Sequence, residues 1–296
     1  MRRLAAFIMR GPVQATLVIV VASLLPLFGW FGATVIALVT LRGGVRGGVT
    51  VMAAAGASLL LIHTLLTGAP QVGLLPLLEL WLPAFLLAVW LRRTVSLAAT
   101  LRLAAVLAGL GVAWMYLLYP DQAVLWAPLL EQVGRTADAG AEQVDAAWLA
   151  FIEGMLPLMT GILVLSLAVA VVAAVLLARW LQALLYYPGG FRREFHDLNL
   201  GRPMAAVVTG LLLVALASGD GLAHDLAFVV SAVFVLQALS LGHALMAKRG
   251  SSRGWFIGIY ALLPLLFQLV VVIGIADAAF GWRRRFLAGS GDGNAV

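Results

Sequence analysis

The chain has no cysteine. That excludes disulfides, thiolate metal sites and cysteine nucleophiles. Charge is scarce as well: 11% of its 296 residues are Asp, Glu, Lys or Arg, against about 25% in soluble domains. An ordinary soluble domain is thereby excluded. Motifs that carry chemistry are missing too. There is no HExxH zinc helix, no GxSxG nucleophile elbow and no paired acidic motif for a metal-diphosphate substrate. The glycines of "LRGGVRGGVTV" are not followed by the Lys-Ser/Thr of a phosphate-binding loop. Enzyme activity has no support in the sequence, and no metal or other cofactor is implied.

What is present is apolar. Hydrophobic residues make up 63% of the chain and the mean hydropathy is +1.06. Runs of about 18 or more apolar residues read as transmembrane helices. In lipid the backbone must satisfy its own hydrogen bonds, and these runs are continuous, not alternating, so they are helices and not barrel strands. The expected fold is an all-α polytopic transmembrane bundle of eight or nine spans in contact with the lipid bilayer. The spans fall at 12–26, 28–41, 47–67, 72–91, 95–119, 155–187, 204–218, 222–247 and 255–281. The first two are joined by "PLFGWFG" and are together too long for one span and too short for two ordinary ones. Pro26 and Gly29 favour two short, tilted helices over one kinked helix. "MRRLAAFIMR" resembles the start of a signal peptide, but no small-x-small site follows, so the first helix reads as uncleaved.

The net charge of +6 is unevenly placed. It reads as a topology signal and not as a nucleic-acid footprint. With nine spans, Arg2, Arg3, Arg10, Arg42, Arg46, Arg92, Arg93, Arg192, Arg193, Arg202, Lys248, Arg249 and Arg253 fall on one side, the cytoplasmic one, with the N-terminus. The segment with Asp121, Glu131, Asp138, Glu142, Asp145 and Glu153, against Arg135 alone, falls outside. Arg283, Arg284 and Arg285 do not fit, since they too would lie outside. Either the last span is re-entrant, helped by Pro264, or the first two spans form one crossing, and the side of the C-terminus stays open. Trp and Tyr residues cluster at both ends of the spans as an interfacial belt.

Within 129–153, Leu130, Val133, Ala137, Ala141, Val144, Trp148 and Phe151 recur at helical spacing. Most of the acidic residues lie off that stripe, so an amphipathic outer helix is expected. It packs on the bundle, lies at the interface, or binds a partner. Gly43/Gly47 and Gly44/Gly48 form small-xxx-small pairs, which in a membrane mark close helix packing.

Ionisable residues at membrane depth are functional candidates by default. Arg102, Arg179 and His243 lie near inner helix ends and read as structural. Asp225, beside His224, reads as a cap in the first turn of its helix, and Asp277 as reaching water at the outer end of the last span. Glu79 is different. It lies inside "LLPLLELWLPAF" between Pro76 and Pro83, which free backbone carbonyls beside a cavity or within protein. His63, Trp81 and Trp114 fall at a similar depth. The expected ligand site is therefore Glu79, His63, Trp81 and Trp114 around an outward-facing cavity, with a buried Glu79–His63 pair that only locks two helices as the competing reading.

The stretch "LLYYPGGFRREFHDLNLGR", Leu184 to Arg202, is longer and more patterned than a simple connection. Pro188-Gly189-Gly190 ends the preceding span. A short interfacial helix explains much of the rest. Tyr187, Phe191, Arg192, Arg193, Phe195 and His196 are the candidate partner-binding residues.

"ARWLQALLYYPGGFRREFHDLNLGR", with the earlier "LVTLRGGVRGG", resembles the YybS-like DUF2232 family of bacterial inner-membrane proteins. The resemblance covers most of the chain. It implies a distant likeness to the substrate-binding S components of energy-coupling-factor transporters, with six N-terminal helices in 1–187, a cytoplasmic loop at 188–203, three further helices in 204–282 and a polar tail at 283–296. It also implies a small molecule bound near the outer face. Ala15 is followed four residues on by Ile19, so the Ala-xxx-Ala pattern with which S components meet their transporter is absent from the first span. Two functions follow. One is a transport-related protein of the bacterial inner membrane that binds a small solute in an outward-facing cavity. The alternative is a membrane scaffold or assembly protein that meets a membrane protein partner, or further copies of itself, through the loop and the outer helix.

Overall fold

A computed structural model describes residues 1–25, 28–139, 151–152, 154–250 and 254–283. Among the described residues every regular element is a helix: α1 (Arg2–Ile8), α2 (Pro12–Leu24), α3 (Gly29–Thr67), α4 (Leu82–Thr94), α5 (Leu97–Leu118), α6 (Gln122–Ala139), α7 (Met159–Tyr186), α8 (Gly190–His196), α9 (Gly201–Ser218), α10 (Gly221–Ser231), α11 (Val233–Arg249), α12 (Gly254–Leu262) and α13 (Phe267–Phe280). A 3₁₀ turn, Pro70–Leu74, and a π turn, Leu77–Trp81, lead into α4. Six helical stretches are long and apolar enough to cross a membrane. The protein is thus an all-α, multi-pass membrane protein. The main apolar core, from Ala5 to Ala278, runs through both the N-terminal and the C-terminal helices, and a smaller cluster gathers around Val112 and Val164.

The first two expected spans have a shape of their own. α3 breaks at Gly44, whose backbone sits at φ 78°, ψ −172°. Only glycine adopts that conformation without strain. The chain folds back there, because a Cβ on Gly48 would lie 2.1 Å from Thr40 Oγ1 and 2.9 Å from Phe85. Arg92 caps the break: its Nη1 donates to the carbonyls of Leu41 at 2.6 Å and Arg42 at 3.0 Å. The leg at 29–43 packs back along α2, so that Gly32 lies against Ser23 and Ile19. α2, at 13 residues, rises only about 20 Å, short of the roughly 30 Å of a bilayer core. α2 and this leg therefore make a half-length hairpin, and 45–67 makes the first full-length helix.

The C-terminus repeats the device. The expected span 255–281 is two helices, α12 and α13, joined by a turn at 263–266. Tyr260 of α12 meets His243 at 3.0 Å, and Phe267 at the start of α13 lies 5.6 Å from Phe228. α13 then runs back beside α11. It crosses so closely at Gly274 that a Cβ there would lie 2.1 Å from the Phe234 carbonyl oxygen. Arg283 ends beside His196 and Ser240. It therefore lies at the same end of the bundle as Arg192, Arg193 and Arg202, as the re-entrant reading of the last span requires.

Two further expectations change. Asp225 is not a cap: Asp220 takes that place, accepting from the Ala223 amide at 3.3 Å. Asp225 is buried and accepts from Tyr116 Oη at 3.0 Å. Asp277 does not reach water either, being only 2% exposed. Of the expected amphipathic helix at 129–153, α6 holds the first part, with Pro128 inside it. Residues 140–150 and 153 lie outside the described residues. Trp126 Nε1 donates to Thr160 Oγ1 at 2.9 Å, so the start of α6 is tied to α7.

Candidate functional site

Glu79 sits on the π turn Leu77–Trp81, between Pro76 and Pro83. Neither proline can donate a backbone hydrogen bond, and a π turn widens the helix by one residue. The effect is to turn the Glu79 side chain outward into a groove of about 380 Å³ between α4, α5 and α7. Trp114, 58% exposed, forms part of the same wall. Leu87, Ala108, Val164 and Val171 supply apolar lining, and Glu79 is the one ionisable group in it among the described residues. A single carboxylate in an apolar groove beside an indole suits a solute with an apolar body and one cationic or hydrogen-donating group.

The other two expected ligand residues are elsewhere. His63 does not line the groove; its Nδ1 lies 2.9 Å from the carbonyl oxygen of Leu59, on its own helix. No described hydrogen bond or ion pair joins it to Glu79. Trp81 is fully buried and packs on Gly32, where a Cβ would lie 3.1 Å from its indole nitrogen. It wedges the N-terminal hairpin against the π turn. The indole nitrogen has no hydrogen-bond partner among the described residues.

The Leu184–Arg202 stretch is more firmly held than a docking loop needs to be. Arg179 donates from Nε to Glu194 Oε2 at 2.9 Å and also pairs through Nη2 with Oε1. Phe191 and Phe195 stack with centroids 6.0 Å apart, and Phe195 meets the His243 ring edge-on at 5.7 Å. The carbonyl of Phe195 accepts from Ser240, and that of His196 from Arg283. Burial, and after it the neighbouring Arg192, holds the His196 imidazole below its ordinary pKa of 6.5. Tyr187 and Arg193 point outward and pair with each other, Arg193 Nη2 donating to Tyr187 Oη at 2.7 Å.

A buried polar lock beneath this stretch escaped the sequence reading. Gln237, fully buried, accepts from the Leu200 amide at 2.7 Å and donates to Asp277 Oδ2 at 2.7 Å. Asp277 Oδ1 also accepts from the Arg283 amide at 3.0 Å. The lone Gln237 in an apolar run was the available signal.

Among the described residues no group of His, Asp and Glu side chains is placed to hold a metal ion. No protein-family model, curated protein or solved structure matches the chain.

Proposed function

We propose that this is a transport-related solute-binding protein of the bacterial inner membrane, and that the Glu79–Trp114 groove is its binding site. The observation that carries the reading is the placement of Glu79: an exposed carboxylate on a π turn, aimed into an otherwise apolar groove. A carboxylate at membrane depth is costly, so it marks a solute or ion path. The positive-inside rule places the basic end of the bundle in the cytoplasm. Glu79 then lies about 20 Å from that end, fifteen residues before Thr94, and the groove's polar part faces the outer half. This fits the ligand position that the YybS-like and S-component resemblance implies. Binding, not covalent chemistry, is the mechanism.

Native mass spectrometry of the full chain, purified in mild detergent from its host, tests it. A retained small cation or polar amphiphile that is lost in Glu79→Gln, with the helical fold intact, supports the site. The same mass retained undiminished in Glu79→Gln and Trp114→Ala sinks it. The outward-facing Tyr187–Arg193 pair favours the second reading, a scaffold protein. A co-purifying protein lost on Arg193→Ala, with no small molecule present, would establish that reading instead.

A further inference from the structure

A second cavity lies elsewhere, at the basic end, with a volume of about 760 Å³. It is bounded by the end of α7, by α8, by the end of α11 and by α12. Trp180 and Phe195 give it an apolar wall. Arg192, His196, His243 and Tyr260 give it its polar groups. No carboxylate is among the described residues that line it. Of the acidic groups nearby, Glu194 is held by Arg179 in a two-point ion pair, and Asp197 acts on His196 from outside the lining. His243 Nε2 and Tyr260 Oη are 3.0 Å apart, so the two rings present one joined polar edge. Burial, and after it Arg192, keeps the His196 imidazole below its ordinary pKa.

The chemistry of this set is that of an anion site. A guanidinium and imidazole or phenol donors, without an opposing carboxylate, match phosphate oxygens. The volume lies in the range of small-molecule sites. Its place matters as well. It sits where α7 and α11 end, among the residues of the aromatic belt, and basic pockets between helices on the cytoplasmic side suit anionic headgroups. The Trp180–Phe195 wall can take the apolar part of such a molecule.

We propose that this cavity binds a phosphate-bearing anion, with the phosphate between Arg192, His196 and the His243–Tyr260 edge, and a lipid headgroup as the source that the aromatic wall favours. The site is separate from the Glu79 groove and does not depend on it.

The test uses the full chain in mild detergent with phosphatidylcholine present, titrated with fluorescent phosphatidylglycerol. Binding about tenfold tighter than for labelled phosphatidylcholine is expected, with a similar loss in Arg192→Gln/His243→Gln. Arg192 is exposed, so Arg192→Gln alone leaves the packing in place and still weakens binding. Glu79→Gln leaves it unchanged. Displacement of the probe by inorganic phosphate assigns the site to the free anion, and displacement by unlabelled phosphatidylglycerol alone assigns it to the lipid; both support the phosphate chemistry. Phosphatidylcholine bound as tightly as phosphatidylglycerol, or unaltered binding by both variants, overturns it.

Discussion

Gln237→Leu isolates the polar lock from the packing around it. Leucine nearly matches glutamine in volume, so no large cavity opens and little apolar contact is lost. Two hydrogen bonds go. The Leu200 amide, in a residue 1% exposed, loses its acceptor, and the Asp277 carboxylate loses one of its donors. A buried donor left without a partner costs about 1–3 kcal/mol, and a charged acceptor somewhat more. Asp277 keeps the Arg283 amide at 3.0 Å and the Arg283 guanidinium at 3.8 Å, which limits its share. The expected total is about 3 kcal/mol. Reversible unfolding in mixed micelles measures it, and hydrogen exchange locates it. The Leu200 amide and the α13 amides should exchange faster, while those of α5 keep their protection. A variant within about 0.5 kcal/mol of the parent, with unchanged exchange at Leu200, would refute the lock.

Two other outcomes follow from the backbone and from charge. Val95 ends α4 at φ 50°, where a side chain costs about 1–2 kcal/mol, and it is 72% exposed. Val95→Gly should therefore stabilise the protein by up to about 1 kcal/mol after the added chain entropy of glycine, read in the same unfolding assay; destabilisation would show that the helix end is held by something else. His196 has a folded pKa below its ordinary 6.5, so as pH falls the unfolded chain takes up the proton first. Its contribution is lost from about pH 6.5 downward until the folded form also protonates, and His196→Gln should flatten the stability profile in that window. An equal slope in parent and variant would contradict the assignment.

The long helices were legible because hydropathy alone marks them, and the side on which Arg42, Arg92, Arg192 and Arg249 gather was legible from their spacing between runs. The hairpins were only half legible. Gly44 belonged to a pattern that reads as close packing, and Gly48 does pack closely, but nothing in the sequence says which glycine takes positive φ. Glu79 stood out because two prolines flank it. Its expected partners did not gather round it, because depth along a helix is readable from sequence while the facing of neighbouring helices is not. Trp114 shares the Glu79 groove and His63 does not. Asp277 was misread for a related reason: its partners, Gln237 and Arg283, come from a chain reversal that the apolar run at 255–281 conceals.

The two half-length hairpins, 12–43 and 254–280, start and finish at the basic end of the bundle. They set four short helix sections beside the full-length helices at that end. With a helix about 10 Å across, that is on the order of 300 Å² of extra cross-section on one side. Lipid that would otherwise fill the space beside the long helices at that end is replaced by protein.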